Sequence, residues 1–354
     1  MTRIAFHAPM KPPDHPTPSG DRRMARLLIE ALKKAGYTPE IASDLRSRDG
    51  KGDAAVQAAH LDHASREIER LTALWRDDPP ALWFTYHCYY KAPDLLGPAL
   101  ADRFGIPYVI AEASRARKRL DGPWAGFARR AEAAIDRADL LLAMTAHDRM
   151  ALDRDAKDGQ QIADFPPFLD PGPATAPKPA STMLNLLTVA MMRGPDKLAS
   201  YRALAEAMAG FDGHDWHLTV VGSGEHRDEV AAMFAPCGER VAILSGILDP
   251  DALRHHYERA NVFVWPGVNE AYGMVYLEAQ AAGTPVVAQD WPGPRAVIGP
   301  SSAIVPRDDP ARFREAIARV ATGDAGAAAR RYVLQNHGID AAAERLRVLL
   351  GGLI

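Results

Sequence analysis

The chain has 354 residues, 47% of them hydrophobic and 25% charged, a length that predicts two domains with sizeable cores and a composition that excludes a disordered chain. A formal net charge of −3 gives no general attraction to nucleic acid, and two cysteines, Cys88 and Cys237, lack the spacing of a disulfide framework or a zinc site. The first residues enter a β-like run with no apolar leader, and no run is long enough to span a bilayer, so a reducing cytoplasm is the expected setting.

Along the first half, short β-like runs at 3–7, 39–42, 81–86, 108–111 and 140–144 alternate with amphipathic helical stretches, which predicts parallel strands in α/β units. Gly20, in Pro18-Ser19-Gly20-Asp21, links the first strand to a helix and lets backbone N–H groups approach a phosphate. His87 follows the third run, at a carboxyl strand end where ligands collect in such sheets. Four bases crowd into Arg115-Ala116-Arg117-Lys118-Arg119, with Trp124 and Phe127 just beyond, a cluster suited to anionic lipid headgroups as well as to water. Asp153-Arg154-Asp155 spells a metal-holding Asp-x-Asp but sits among charged residues away from a strand end, so no metal site is expected. His60 and His63 read as a polar helix face.

The Pro-rich stretch from Phe165 to Pro179 breaks the rhythm and reads as a linker, placed at 171–180 between an N-terminal domain at 1–170 and a C-terminal one at 181–335. β-like runs then resume at 184–190, 218–221, 241–244, 262–265 and 286–288, and the Ala-rich end from 325 to 350 reads as helix. Two doubly wound α/β domains are the predicted fold. Gly222-Ser223-Gly224 follows a strand as a phosphate-facing glycine turn would, but Arg227 stands where a dinucleotide fingerprint wants its third glycine.

The densest signal is Asn269-Glu270-Ala271-Tyr272-Gly273-Met274-Val275-Tyr276-Leu277-Glu278, bounded by β-like runs and followed by Gly283 and Pro285. A helix opening at Gly273 presents the backbone N–H groups of Gly273, Met274 and Val275 to a diphosphate. Two carboxylates beside a polyanion make sense if each accepts hydrogen bonds from neutral hydroxyls, Glu278 from a ribose diol and Glu270 from a sugar. An isolated glutamate pair is ordinarily surface chemistry; the strand, loop and helix around this one make it a candidate site.

This pattern, with Tyr272-Gly273 after the first acid and Glu-Ala-x-Ala-x-Gly-x-Pro-Val-Val-Ala from the second, resembles the retaining family-4, or group 1, glycosyltransferases. The resemblance is strongest from Leu184 to about Pro306 and implies the GT-B fold: two Rossmann-like domains with the donor and acceptor cleft between them. It implies a nucleotide-sugar donor on the C-terminal domain, a glycan or lipid acceptor on the N-terminal one, and residues 336–354 crossing back to the latter. It places Lys197 on the donor diphosphate, with Arg193 standing in for an arginine whose usual position holds Met191 or Met192. Main-chain groups around Ile247, in Ser245-Gly246-Ile247-Leu248, fall in the base-binding loop, and Gly222 and Gly224 line the donor wall. Ala113 stands where many members carry a strand-end histidine, so Glu112 or His87 must supply a polar group at the sugar.

The implied reaction moves a hexose from a UDP- or GDP-sugar to an acceptor hydroxyl with retention, without metal or organic cofactor. A nucleotide-sugar epimerase and a catalytically silent nucleotide-sugar-binding protein are the alternatives. Peripheral contact with an anionic inner membrane face, through residues 115–119, and an envelope-glycan precursor as acceptor complete the expectations.

Overall fold

Each of the ten β-like runs becomes a parallel strand, in a computed structural model that describes residues 2–17, 19–173, 183–212, 215–246, 249–270, 272–321 and 324–354. The chain divides into two compact units, Met1–Pro166 with Ile339–Ile354, and Pro167–Gly338.

The first unit is built on β1 (Thr2–His7), β2 (Tyr37–Ser43), β3 (Leu82–Cys88), β4 (Tyr108–Ala113), β5 (Leu140–Ala143) and β6 (Gln161–Asp164), in the order β2-β1-β3-β4-β5-β6. All its pairings are parallel. The central strands are covered on both faces, which is why β4 and β5 are buried throughout and read as continuous apolar runs. The edge strand β6, Gln-Ile-Ala-Asp, carries no such run and was not expected from the sequence. Strand order reverses between β1 and β3, and the loops after those strands converge there.

Asp94, in the loop after β3, is buried. Its buried carboxylate accepts hydrogen bonds from the Trp83 indole (3.1 Å), the Tyr108 hydroxyl (2.8 Å) and the backbone N–H groups of Leu96 and Gly97 (both 2.9 Å). The helix Gly20–Lys34 is capped by Ser19, whose hydroxyl accepts from the Arg22 N–H, and buries Met24, Ala25, Leu28, Ala31 and Leu32 along one stripe. Against it lies the final helix, Ile339–Gly351, which buries Ile339, Ala342, Ala343, Leu346 and Leu350 and adds a Lys34–Asp340 ion pair at 2.7 Å.

The second unit holds β7 (Leu184–Val189), β8 (Trp216–Gly222), β9 (Val241–Ser245), β10 (Val262–Val264), β11 (Val286–Gln289) and β12 (Ala303–Val305), in the order β12-β11-β10-β7-β8-β9. It too is parallel throughout, and its order reverses between β7 and β10. The three-residue β12 was not expected, being too short for a periodic signal.

Two expectations need correction. The Ala-rich end is not one helix: it breaks between Ala325–Asn336 and Ile339–Gly351, where buried His337 accepts the Leu169 N–H at its carbonyl and sets its ring against the Pro167 carbonyl at 2.8 Å. Those same contacts pack the start of the Pro-rich stretch, and Arg330 donates to the Gly172 and Pro173 carbonyls, so residues 167–173 are part of the second unit. Residues 174–180 lie outside the described residues.

Candidate active site

In the second unit the switch point joins two loops. The one after β7 leads into the helix Asp196–Ala209, and the one after β10 leads through Glu270 to the helix Met274–Ala281. Three polar ties fix the second loop to the first helix. The Val268 N–H donates to the Ser200 hydroxyl at 2.9 Å, the Asn269 amide to Asp196 at 2.9 Å, and the Lys197 ammonium pairs with Glu270. Lys197 Nζ also lies 5.7 Å from the centroid of the buried Trp265 ring. The loop pays in backbone strain for this posture, since Asn269 has φ 52°, in the left-handed region.

Gly273 is the N-cap of the second helix, with φ 67°, and no side chain caps it. A Cβ here would stand 2.5 Å from the Tyr276 ring, so glycine is required both by conformation and by packing. The outcome is a helix start whose first N–H groups, at Met274 and Val275, face away from any intrahelical partner. One turn on, Glu278 is half-buried and accepts a hydrogen bond from the Tyr257 hydroxyl at 3.0 Å. Tyr272, Met274 and Val275 are likewise half-buried.

Not every expected residue joins this group. Arg193 is exposed, its guanidinium resting on the Met191 sulfur, with no ion pair to the Lys197–Glu270 pair among the described residues. Gly222 and Gly224 have a reason other than an anion: a Cβ would fall 2.0 Å from the Ala190 carbonyl oxygen at Gly222 and 2.1 Å from that of Met192 at Gly224. The glycine turn and the loop after β7 are thus in backbone contact, sealed by hydrogen bonds from Met192 N–H to Ser223 and from His226 N–H to Met192. Ile247 lies outside the described residues; the adjoining Ser245 hydroxyl is held by Arg227.

In the first unit, the structure brings His87 and Glu112 together and adds Asp21. His87 Nδ1 is 2.9 Å from Asp21 and 3.7 Å from Glu112. Both His87 (φ 62°) and Glu112 (φ 61°) sit in the left-handed region near the ends of their strands, a posture that costs on the order of 1–3 kcal/mol each and that surrounding structure must hold. Burial pushes the imidazole down, but the Glu112 and Asp21 carboxylates outweigh it and hold His87 above its ordinary value. The hydrogen bond from His87 in turn holds Asp21 below the usual carboxylate range. Asp21 was missed because its only signal in the sequence was a place in the first turn of a helix. Gly20 beside it occupies that first turn with open space where a Cβ would stand, so neither strain nor crowding demands glycine there.

The basic segment is largely committed. Arg115 is buried in ion pairs with Glu132 (2.5 Å) and Asp136 (2.7 Å), and Arg117 pairs with Asp155. Asp155 also pairs with Arg154, and Asp153 with Arg149, which uses both acids of the Asp-x-Asp in ion pairs.

Residues 185–322 match the family described as Glycosyl transferases group 1. D-inositol 3-phosphate glycosyltransferase from Geodermatophilus obscurus is 30% identical over 279 residues, covering 68% of this chain and 60% of that protein. Matches to such curated relatives thus span little more than half of their length. Among solved structures, sucrose-phosphate synthase from Thermosynechococcus elongatus superposes with a TM-score of 0.71 at 19% identity, over 100% of this chain and 99% of that one. A trehalose-6-phosphate structure from E. coli, bound with UDP-2-fluoro glucose, gives 0.66 at 13% identity over 100% of both chains. With two doubly wound parallel sheets and the group 1 match on the second of them, the chain has the GT-B fold and carries a group 1 glycosyltransferase domain over residues 185–322.

Proposed function

We propose that the protein is a retaining glycosyltransferase that moves a hexose from a UDP- or GDP-sugar to an acceptor hydroxyl, with no requirement for a divalent metal. The observation that carries this reading is the Lys197–Glu270 pair at the switch point of the second sheet, beside the uncapped start of the helix Met274–Ala281. A point cation and free backbone N–H groups suit the donor diphosphate, and a carboxylate within reach of that cation suits the hydroxyls of the attached sugar. Glu278, steadied by Tyr257, would accept from the ribose diol. Gly222 and Gly224 shape the donor wall, and Arg193 would reach the diphosphate by a rotamer change from its exposed position. The base would rest on main-chain groups near Ile247.

In the reaction the bond between the anomeric carbon and the diphosphate oxygen breaks, and the acceptor oxygen bonds to that carbon on the same face. The acceptor proton passes to the leaving phosphate. Lys197 and the helix N–H groups stabilise charge as it develops on the leaving group, which is where fixed dipoles lower a barrier most. On the first unit, His87, held by Asp21 and Glu112, would orient hydroxyls of the acceptor or the transferred sugar. A lipid or envelope-glycan acceptor reached through residues 115–119 is the less supported branch, because Arg115 and Arg117 are neutralised by Glu132, Asp136 and Asp155. No helix among the described residues is long and apolar enough to cross a membrane. A cytoplasmic location accords with this reading.

A thermal-shift screen of the full chain against nucleoside diphosphates and their sugars tests the proposal. A true donor at ~100 times its dissociation constant should stabilise the fold by about 2.7 kcal/mol, with or without a chelator. Nucleoside diphosphate should then be released only when an acceptor is added; release without acceptor would point to hydrolysis, and interconversion of the sugar to an epimerase. Failure of every nucleotide to stabilise the chain would end the donor reading.

A further inference from the structure

Tyr90 and Lys91, from the loop after β3, and Arg119 and Trp124, from the loop after β4, form a notch that neither the fold nor the donor chemistry explains. The Tyr90 and Trp124 rings meet edge to face, with centroids 5.8 Å apart. Lys91 Nζ lies 5.6 Å from the Tyr90 centroid and 5.4 Å from that of Trp124, and the Arg119 guanidinium carbon lies 5.2 and 5.4 Å from the same two rings. Neither cation has a carboxylate partner among the described residues, and Arg119 Nε is buried without a hydrogen-bond acceptor. This separates them from their neighbours Arg115 and Arg117, which are paired with acids.

The notch is built in advance. The Trp124 indole N–H donates to the Asp49 carbonyl at 3.1 Å, and Gly52, where a Cβ would fall 2.5 Å from Pro123 and 3.3 Å from the indole, packs directly beneath. Asp49 in turn is buried and accepts from the N–H groups of Lys51, Gly52 and Asp53 and from the Gln57 amide. Two like charges gathered on one aromatic pair repel each other, and the rings compensate only in part. An anion bound beside them would offset the repulsion. Aromatic contacts run from here to the candidate active site: Tyr90 meets Tyr89 at 5.5 Å, and Tyr89 meets His87 at 4.8 Å.

Resting on the assignment of the acceptor to the first unit, we infer that this notch holds an anionic substituent, a phosphate or carboxylate, of a sugar acceptor whose ring lies along Tyr89 and Tyr90. The acceptor hydroxyl is then presented toward His87.

The test uses binding by the full chain at constant ionic strength, with glucose, glucose 6-phosphate, glucuronate and phosphatidylglycerol vesicles as probes. The expected result is that at least one anionic sugar binds roughly tenfold or more tightly than glucose, the effect of one charge-assisted hydrogen bond. The double variant Lys91→Met/Arg119→Gln should lose that preference, while Arg119→Lys retains most of it. Vesicle binding with the same sensitivity to these variants, and no preference for the free anionic sugars, would assign the anion to a lipid-linked acceptor. Equal affinity for neutral and anionic probes, or a preference the double variant keeps, would overturn the inference. Nucleotide stabilisation measured in parallel keeps the two proposals apart: its loss in the wild-type chain removes the donor reading and leaves the anion site standing.

Discussion

Consider removing the charge of Lys197. Lys197→Met keeps the aliphatic stem near the Trp265 ring and deletes only the ammonium, leaving Glu270 without its ion-pair partner. The two side chains retain 26% and 19% of their exposure, between the surface pairs worth at most about 1 kcal/mol and the fully buried ones, where loss of one partner costs about 3–5 kcal/mol. A double-mutant cycle with Glu270→Gln should therefore give a coupling energy of about 1–2 kcal/mol. The assay is equilibrium urea unfolding of the four proteins, following the transition of the second unit, without nucleotide and with a saturating nucleoside diphosphate. In the presence of the diphosphate Lys197 turns toward phosphate oxygens, and the coupling should shrink while the nucleotide's own stabilisation falls in both Lys197→Met proteins. A coupling below ~0.3 kcal/mol would mean that the pair does not hold the loop. A coupling that the nucleotide leaves untouched would refute the role of Lys197 at the diphosphate.

Gly222→Ala should lower stability by about 1–3 kcal/mol in urea unfolding, because its Cβ meets a backbone carbonyl at 2.0 Å that cannot step aside, whereas Gly20→Ala should be neutral or raise stability by up to ~1 kcal/mol. The histidine cluster predicts a pH signature. Because His87 is held above its ordinary value, its contribution to stability is full below about pH 6.5 and is lost as the pH rises through the raised value. Asp21 works the other way: held low, it contributes above its ordinary value and loses that contribution as the pH falls through the depressed one. The wild-type urea midpoint should consequently decline above pH 6.5 by more than that of His87→Gln, with Asp21, Glu112 and Asp148 as the acids that face the ring. Parallel profiles for the two proteins would remove His87 as the cause.

Much of the architecture was legible because its signals are local. Ten of the strands announce themselves as apolar runs between turn residues; β6 and β12 do not, one being polar at a sheet edge and the other only three residues long. Gly273 could be read as a helix start because its left-handed conformation and its missing side chain act within one turn of chain. The acid loop and Lys197 were both visible, but not their pairing, since 73 residues separate them and only the adjacency of β7 and β10 brings them together. Asp21 meets His87 across 66 residues for the same reason, at the β1–β3 reversal. The basic run illustrates the opposite limit. Sequence counted four positive charges, while tertiary structure placed Glu132, Asp136 and Asp155 against two of them and an aromatic pair under a third. Residue type and short spacing determined which groups this protein possesses and which of its segments are strand, helix or turn; strand order decided which of those groups share a solvent-screened crevice, because charge and hydrogen bonding act through space and carry no trace of chain distance.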